Sequence, residues 1–307
     1  MADAFDELVF AGAPFDRAAE LRPRHDILRR LLAEPTTVVL DVGRHSVAAE
    51  REGETVSLRL RPPHPDDEGR EALLLGRYAG RVVLAVRVEG DGLTPLRQVA
   101  DLLPPDEALF AATAVALDNW HGTHPRCSRC GEPTVIAEGG WVRTCPADDS
   151  QHHPRTDPAV IMAVTDESDR LLLARGAGWP EGRMSVLAGF VEPGETLAAA
   201  VAREVREEVG IDVIDVRYQG DQPWPFPASL MVGFTARATS TELTLDGTEI
   251  ADARWFTRAE LREALDRGDL RRPSSVSISA RLIERWYGGA LAVTSDARAV
   301  PGAVTGT

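Results

Sequence analysis

The sequence predicts an α/β (α+β) protein: a mixed sandwich, preceded by a small metal-braced segment and a β-rich N-terminal domain. Three observations carry that reading. Short apolar runs broken by Pro, Gly and Asp fill residues 1–120, and all three cysteines crowd into 121–155. Strand-like and helix-like stretches then alternate over 156–289. Mixing those two periodicities in one stretch points to helices packed on a sheet.

In the N-terminal domain, 38–42, 72–75 and 82–86 read as strands. The proline-rich break at 61–65 reads as a loop, and the alanine-rich stretch 105–120 has helical spacing of its apolar residues. Residues 121–155 are too few to form a core of their own and call for a metal. Farther on, 160–165 and 170–175 form a hairpin-like pair. A Gly-rich loop leads to a helix over 196–209, closed by Gly210 where a left-handed residue is usual. Strands at 230–237 and 253–256 and helices at 258–266 and 276–286 complete the domain. The small, polar stretch 290–307 is expected to be a flexible tail.

A net charge of −14 argues against a broad, sequence-independent grip on nucleic acid. A local anionic substrate stays open, because bound cations can supply the missing positive charge. The opening MADAFDELVF lacks the basic flank and apolar run of a secretory signal, and no apolar stretch approaches the ~20 residues of a membrane span. Three closely spaced cysteines suit a reducing cytoplasm and a metal site better than a disulfide framework.

The most informative stretch is 189–211, GFVEPGETLAAAVAREVREEVGI. Glu204, Glu207 and Glu208 stand at i, i+3 and i+4, so one helical face presents three carboxylates. Leu197, Val201, Val205 and Val209 recur every fourth residue and predict a buried stripe beside them. Like charges so placed repel by a few tenths of a kcal/mol per pair. A hard cation such as Mg²⁺ or Mn²⁺ would reverse that penalty. Taken alone, an acidic string is usually a solvated helix face. Here Gly189, Glu195, Arg203, Glu204, Val205, Glu207, Glu208, Gly210 and Ile211 match, without a gap, the box of the Nudix hydrolases, and the chain resembles that family.

The resemblance implies a Nudix α/β/α sandwich and metal-assisted attack of water on phosphorus. It makes Glu204, Glu207 and Glu208 the metal ligands, with Glu195 in the metal network or held by Arg203. The loop bearing Gly189 and Gly194 would let backbone approach a diphosphate, with Ala188 just ahead of it in the substrate site. Glu249 is the candidate for a further ligand or a base.

Downstream, YQGDQPWPFPASL sets three prolines among Trp224 and Phe226. It reads as a stiff, extended loop that cannot join a central strand. Its aromatics could stack on a planar base or simply pack on the core. Gln222, Pro223, Trp224, Pro225, Phe226, Pro227 and Ser229, with Ala228 between, resemble the signature of the NADH pyrophosphatase branch, although Asp221 stands where that branch has serine. The branch resemblance spans about 96–287 and leaves the first ~95 residues only loosely comparable. It implies cleavage of NAD(H) to NMN(H) and AMP, removal of NAD caps from RNA in some members, and a homodimer. It adds Arg97 as a substrate contact, His153 where an aromatic ring is usual, and Ser279 where alanine is usual. Two other readings stay open: hydrolysis of ADP-ribose or a diadenosine polyphosphate, and a non-catalytic nucleotide sensor.

Cys127-x-x-Cys130-Gly is a zinc-knuckle pattern, since thiolates on a tight turn suit tetrahedral Zn²⁺. Reduced surface thiols are the alternative. Cys145 supplies a third ligand, and Asp148 stands at the spacing where the family's second pair ends, with His152 the competing choice. Such a zinc would be structural.

Overall fold

The computed structural model describes residues 5, 8–11, 15–90 and 92–291. Helix α1 (Ile27–Ala33) precedes strands β1 (Val38–Gly43), β2 (Ser46–Val47), β3 (Ala49–Glu52), β4 (Thr55–Leu58) and β5 (Leu60–Arg61). Then come β6 (Ala72–Tyr78), β7 (Arg81–Arg87), β8 (Thr94–Pro95), the short α2 (Leu96–Val99) and α3 (Pro105–Thr123). One sheet runs β6-β7-β1-β2-β8 with β5 on β1, while β3 and β4 pair separately. Arg61, expected in a loop, thus ends a strand, and Pro65 opens a 3-10 turn. Helix α3 starts on a proline, which costs no hydrogen bond there, with Asp106 and Glu107 in the first turn where the helix dipole favours them. Its Phe110, Ala111, Ala114 and Val115 pack on Leu40, Val42, Leu73 and Leu75 of the sheet.

The cysteine segment adds β9 (Val135–Ala137), β10 (Val142–Thr144) and β11 (Gln151–His152), in the order β11-β10-β9. It is tied to α3 through two buried groups. Arg143 donates to Thr134 Oγ1 at 2.7 Å and to His121 Nδ1 at 2.8 Å, and His121 Nε2 donates to Gly140 O at 2.8 Å. Burial pushes His121 down to about 4, so its ring is neutral and can accept from the arginine.

The remainder holds β12 (Asp157–Thr165), β13 (Leu171–Gly176), β14 (Leu187–Phe190), α4 (Leu197–Val209), β15 (Val213–Trp224), β16 (Ser229–Ala238), β17 (Ile250–Phe256), α5 (Arg258–Asp266) and α6 (Ile278–Tyr287). The sheet order is β15-β16-β12-β13-β17 with β14 on β12. Strand alternation sends Val160, Met162 and Val164 to a core shared with Val201, Val205 and Val209 of α4. Ile161 and Ala163 go to the opposite core, against Leu261 of α5 and Ile278 and Leu282 of α6. This is the α/β/α sandwich.

The hairpin expected from 160–165 and 170–175 forms only at Thr165 and Leu171. Beyond that point β14 pairs with β12, and β13 pairs with β17. Both runs are apolar on both faces, so their composition marks strands without choosing partners. The stretch 218–224, expected to be loop, is the end of β15. Its proline is tolerated because β15 lies at the sheet edge, as the exclusion from a central strand requires. Trp224, Phe226 and Val276 pack against the N-terminal core, joining the two sheets. Of the expected tail, 292–307 lies outside the described residues.

Candidate active site

Helix α4 begins at a sharp cap: Thr196 Oγ1 accepts from Ala199 N, which stabilises such a helix by about 1 kcal/mol. It ends at Gly210 with φ of 74°, the left-handed C-cap. Val201, Val205 and Val209 are fully buried, each contributing roughly 1.5–3 kcal/mol. Leu197 breaks the predicted stripe. At 38% exposure it sits on the first turn, before the helix meets the sheet.

The carboxylates divide by depth. Glu204 and Glu208 are buried, whereas the Glu207 side chain is 60% exposed. Arg203 organises the set. Its Nε and Nη2 grip both oxygens of Glu195, at 2.7 and 2.9 Å, while Nη1 donates to Glu204 Oε1 and Glu207 Oε2, each at 2.9 Å. Nη2 also reaches Phe190 O at 2.9 Å, anchoring the helix to β14. The arginine draws Glu195 down to about 2, so this carboxylate is ionised and committed. Glu195 therefore acts here as the partner of Arg203.

Glu208 is the anomaly. Its Oε2 is buried without a hydrogen-bond partner, and burial, followed by the charges of Glu204, Glu249, Asp246 and Glu207, pushes it up to about 8. Burial also raises Glu204. A buried orphan carboxylate oxygen beside like charges is costly unless a cation completes the site. Glu249 stands exposed at the end of the β16–β17 connection, where Asp246 accepts from its backbone N at 2.8 Å. Gly189 closes the set from β14: a Cβ there would lie 1.9 Å from Glu204 Cδ. The residues fit a divalent metal in donor chemistry and in the space kept for them.

The aromatic wall stands where β15 turns into β16, packed against the N-terminal core. Trp224 pairs in register with Ser229, and Trp224, Ser229 and Ala228 line a cavity of about 230 Å³ with Leu109, Ala112 and Leu117 of α3. Arg97 lies over Phe226 at 4.3 Å and over Trp224 at 5.3 Å, and with Phe226, Pro227 and His45 lines a second, more open cavity of about 500 Å³. Another cavity, about 520 Å³ between α1 and the cysteine segment, touches none of these residues.

Gln222 is turned into the fold. Its side chain is fully buried, Nε2 donates to Val9 O and Val276 O at 2.7 Å each, and Oε1 accepts from Ile278 N at 2.9 Å. In this arrangement the amide holds β15 to α6 and the N-terminal segment. Ser279 is likewise engaged, buried with its hydroxyl 3.0 Å from that of Ser277, the N-cap of α6. Ala188 and His153 are exposed. Phe190, 59% exposed two residues from Ala188, is an aromatic that motif matching passed over; the signal was a large apolar residue inside the Gly-rich approach to the box.

In the cysteine segment, the ligand atoms of Cys127, Cys130, Cys145 and Asp148 all lie within 4.8 Å of one another. Ser150 braces them: its hydroxyl donates to Asp148 Oδ1 at 2.5 Å and lies 3.3 Å from Cys127 Sγ. That hydroxyl, with the knuckle amides, draws the Cys127 thiol down to about 6. Its contacts and the Ser150 amide hold Asp148 at about 2. His152 stands outside the four, 3.2 Å from the Ser150 hydroxyl. Three thiols and a carboxylate converging on one point fit tetrahedral zinc.

A family model described as the NUDIX domain matches residues 155–275, and one described as the NADH pyrophosphatase zinc ribbon domain matches 123–152. The chain is a Nudix hydrolase carrying that zinc ribbon. It is 44% identical over 253 residues, 76% of its length and 79% of the relative's, to a Mycobacterium bovis protein named NAD-capped RNA hydrolase NudC. To the Homo sapiens protein named NAD-capped RNA hydrolase NUDT12 it is 42% identical over 196 residues, 60% of this chain and 42% of that one. A crystal structure of a NUDIX hydrolase from Nitrosomonas europaea aligns with a TM-score of 0.43 at 25% identity, covering 54% of this chain and 94% of that one. Within the Nudix family the chain belongs with the NudC-type hydrolases.

Proposed function

We propose that the protein hydrolyses the diphosphate bond of NAD(H), giving NMN(H) and AMP, with Mg²⁺ or Mn²⁺ held by Glu204 and Glu208 and supported by Glu207 and Glu249. The orphaned, buried Oε2 of Glu208 carries the metal assignment. A divalent cation there would lower the pKa of an attacking water and offset charge on the transferring phosphoryl group. The protein's part is placement. Arg203 holds Glu204 and Glu207 in position, and Gly189 leaves the room Glu204 needs.

The choice of NAD(H) is supported by the likeness to proteins named NAD-capped RNA hydrolases and by the exposed ring of Phe190 near the box and the Trp224 wall. Phe190, Trp224, Phe226 and Ser229 are our candidates for contacts to the bases, with Arg97, Ala188 and His153 at the margin of the site. NAD-capped RNA is a second substrate of the same chemistry, since its cap contains the same diphosphate. A homodimer and a cytoplasmic location complete the proposal; no helix among the described residues is long and apolar enough to cross a membrane.

Product analysis tests the substrate. Incubation of NADH with enzyme and Mn²⁺ should release NMNH and AMP, and no turnover after the metal is chelated. Preference for ADP-ribose by about tenfold, a gap of roughly 1.4 kcal/mol in transition-state binding, overturns the assignment.

A further inference from the structure

The turn between β15 and β16 has few donors of its own. Pro225 and Pro227 have no N–H, and the turn's own backbone hydrogen bond runs from Phe226 N to Trp224 O at 2.7 Å. The carbonyls of both prolines point instead to α3, where Asn119 Nδ2 donates to Pro225 O at 2.9 Å and to Pro227 O at 3.2 Å. Both partners are acceptors, so the amide can present only its NH₂ to them. These contacts span 106 and 108 residues of sequence. They tie the aromatic turn to a 19-residue helix seated in the N-terminal core. On the other side Arg97 covers Phe226 and Trp224, and His45 lies 6.3 Å from the Phe226 ring.

We infer that Asn119 is a positioning residue for substrate specificity: by clamping both carbonyls that flank Phe226, it sets where Trp224 and Phe226 stand for a base of the dinucleotide. Asn119 directs its amide hydrogen bonds to these two carbonyls and not to the carboxylates of α4. It therefore governs how tightly a base-bearing substrate is held and leaves the bond-breaking step alone. The N-terminal β-rich unit thereby acquires a task in recognition. The inference rests on the NAD(H) reading for its substrate, but the clamp itself is a property of the fold.

The test uses the full chain with Asn119→Ala and with Asn119→Asp, a near-isostere that cannot donate to either carbonyl. Asn119 is only half-buried on a helix surface, so neither change empties a core. Hydrogen exchange of the Phe226 amide should accelerate about tenfold in both, the scale of losing one or two hydrogen bonds. KM for NADH should rise about tenfold while kcat stays within about twofold. Unchanged exchange in both variants overturns the clamp. Faster exchange with KM unmoved, or with kcat falling in its place, overturns the positioning role. Faster exchange in a protein whose wild type does not turn over NADH supports the clamp and sinks the substrate reading alone.

Discussion

A Cβ built on Gly189 falls 1.9 Å from the Cδ of Glu204, so the glycine on β14 and the carboxylate on α4 occupy what would otherwise be one space. The backbone at Gly189 is not left-handed, so room, and not conformational freedom, is what only glycine supplies. Gly189→Ala should displace Glu204 while leaving the sheet register intact. Turnover should fall by roughly a hundredfold, the scale of losing one well-placed electrostatic group. Calorimetry should show a melting temperature within a few degrees of wild type. Wild-type turnover in that variant would mean Glu204 is not needed where it stands.

Glu208→Gln should behave in the opposite way for stability and in the same way for activity. Turnover drops by roughly two to three orders of magnitude, since a neutral amide replaces a ligand. The metal-free protein gains stability at neutral pH, because the amide folds without the proton that Glu208 must take up there. Steady-state kinetics together with metal-free melting curves decide it, and a variant that is both active and less stable contradicts the site.

Glu208 also sets a pH dependence. Its pKa in the folded chain, about 8, lies above the ordinary glutamate value, so the fold favours its protonated form. The contribution to stability is full below the unfolded value of ~4.3 and is lost as pH climbs through 8. Metal-free protein should therefore melt lower at pH 8.5 than at pH 6.5. Adding Mg²⁺ or Mn²⁺ should shrink that difference, and Glu208→Gln should remove this component of it. A slope identical in wild type and variant would assign the titration elsewhere.

The cysteine segment makes a separate prediction. Asp148→Ala should lower bound zinc, measured by atomic absorption after mild chelation, and loosen β9–β11. Asp148→Cys should hold zinc at least as firmly as wild type. His152→Ala should retain it, because His152 stands outside the four-atom cluster. Zinc kept in Asp148→Ala but lost in His152→Ala would reverse the choice of ligand.

Much of this was legible in the sequence, for reasons that differ by residue. Thr196 and Gly210 bound α4 because caps are local chemistry, and the i, i+3, i+4 glutamates share a face because helical geometry demands it. Cys127, Cys130, Cys145 and Asp148 converge because close spacing leaves tight turns little freedom. The structural bonds of Gln222 were hidden because a motif marks residues that matter without saying whether they serve ligand or fold. Its direction depends on β15 continuing through Pro223, which only sheet context reveals. Partner choice for β12 and β13 was hidden because both are runs of buried apolar residues, which mark a strand without naming its neighbour. Asn119 belongs to no motif, and its contact with the turn exists only after more than a hundred residues have folded back.

The edge strand β15 has one further consequence, for assembly. Its ladder to β16 is interrupted between Ile214 and Arg217 and between Tyr218 and Gly220, and Pro223 brings no donor. A neighbouring copy arriving along this rim would find an irregular row of amides that no straight β-segment can match. Edge-to-edge pairing along β15 is thereby disfavoured, and the same irregularity works against stacking of this rim into fibrils.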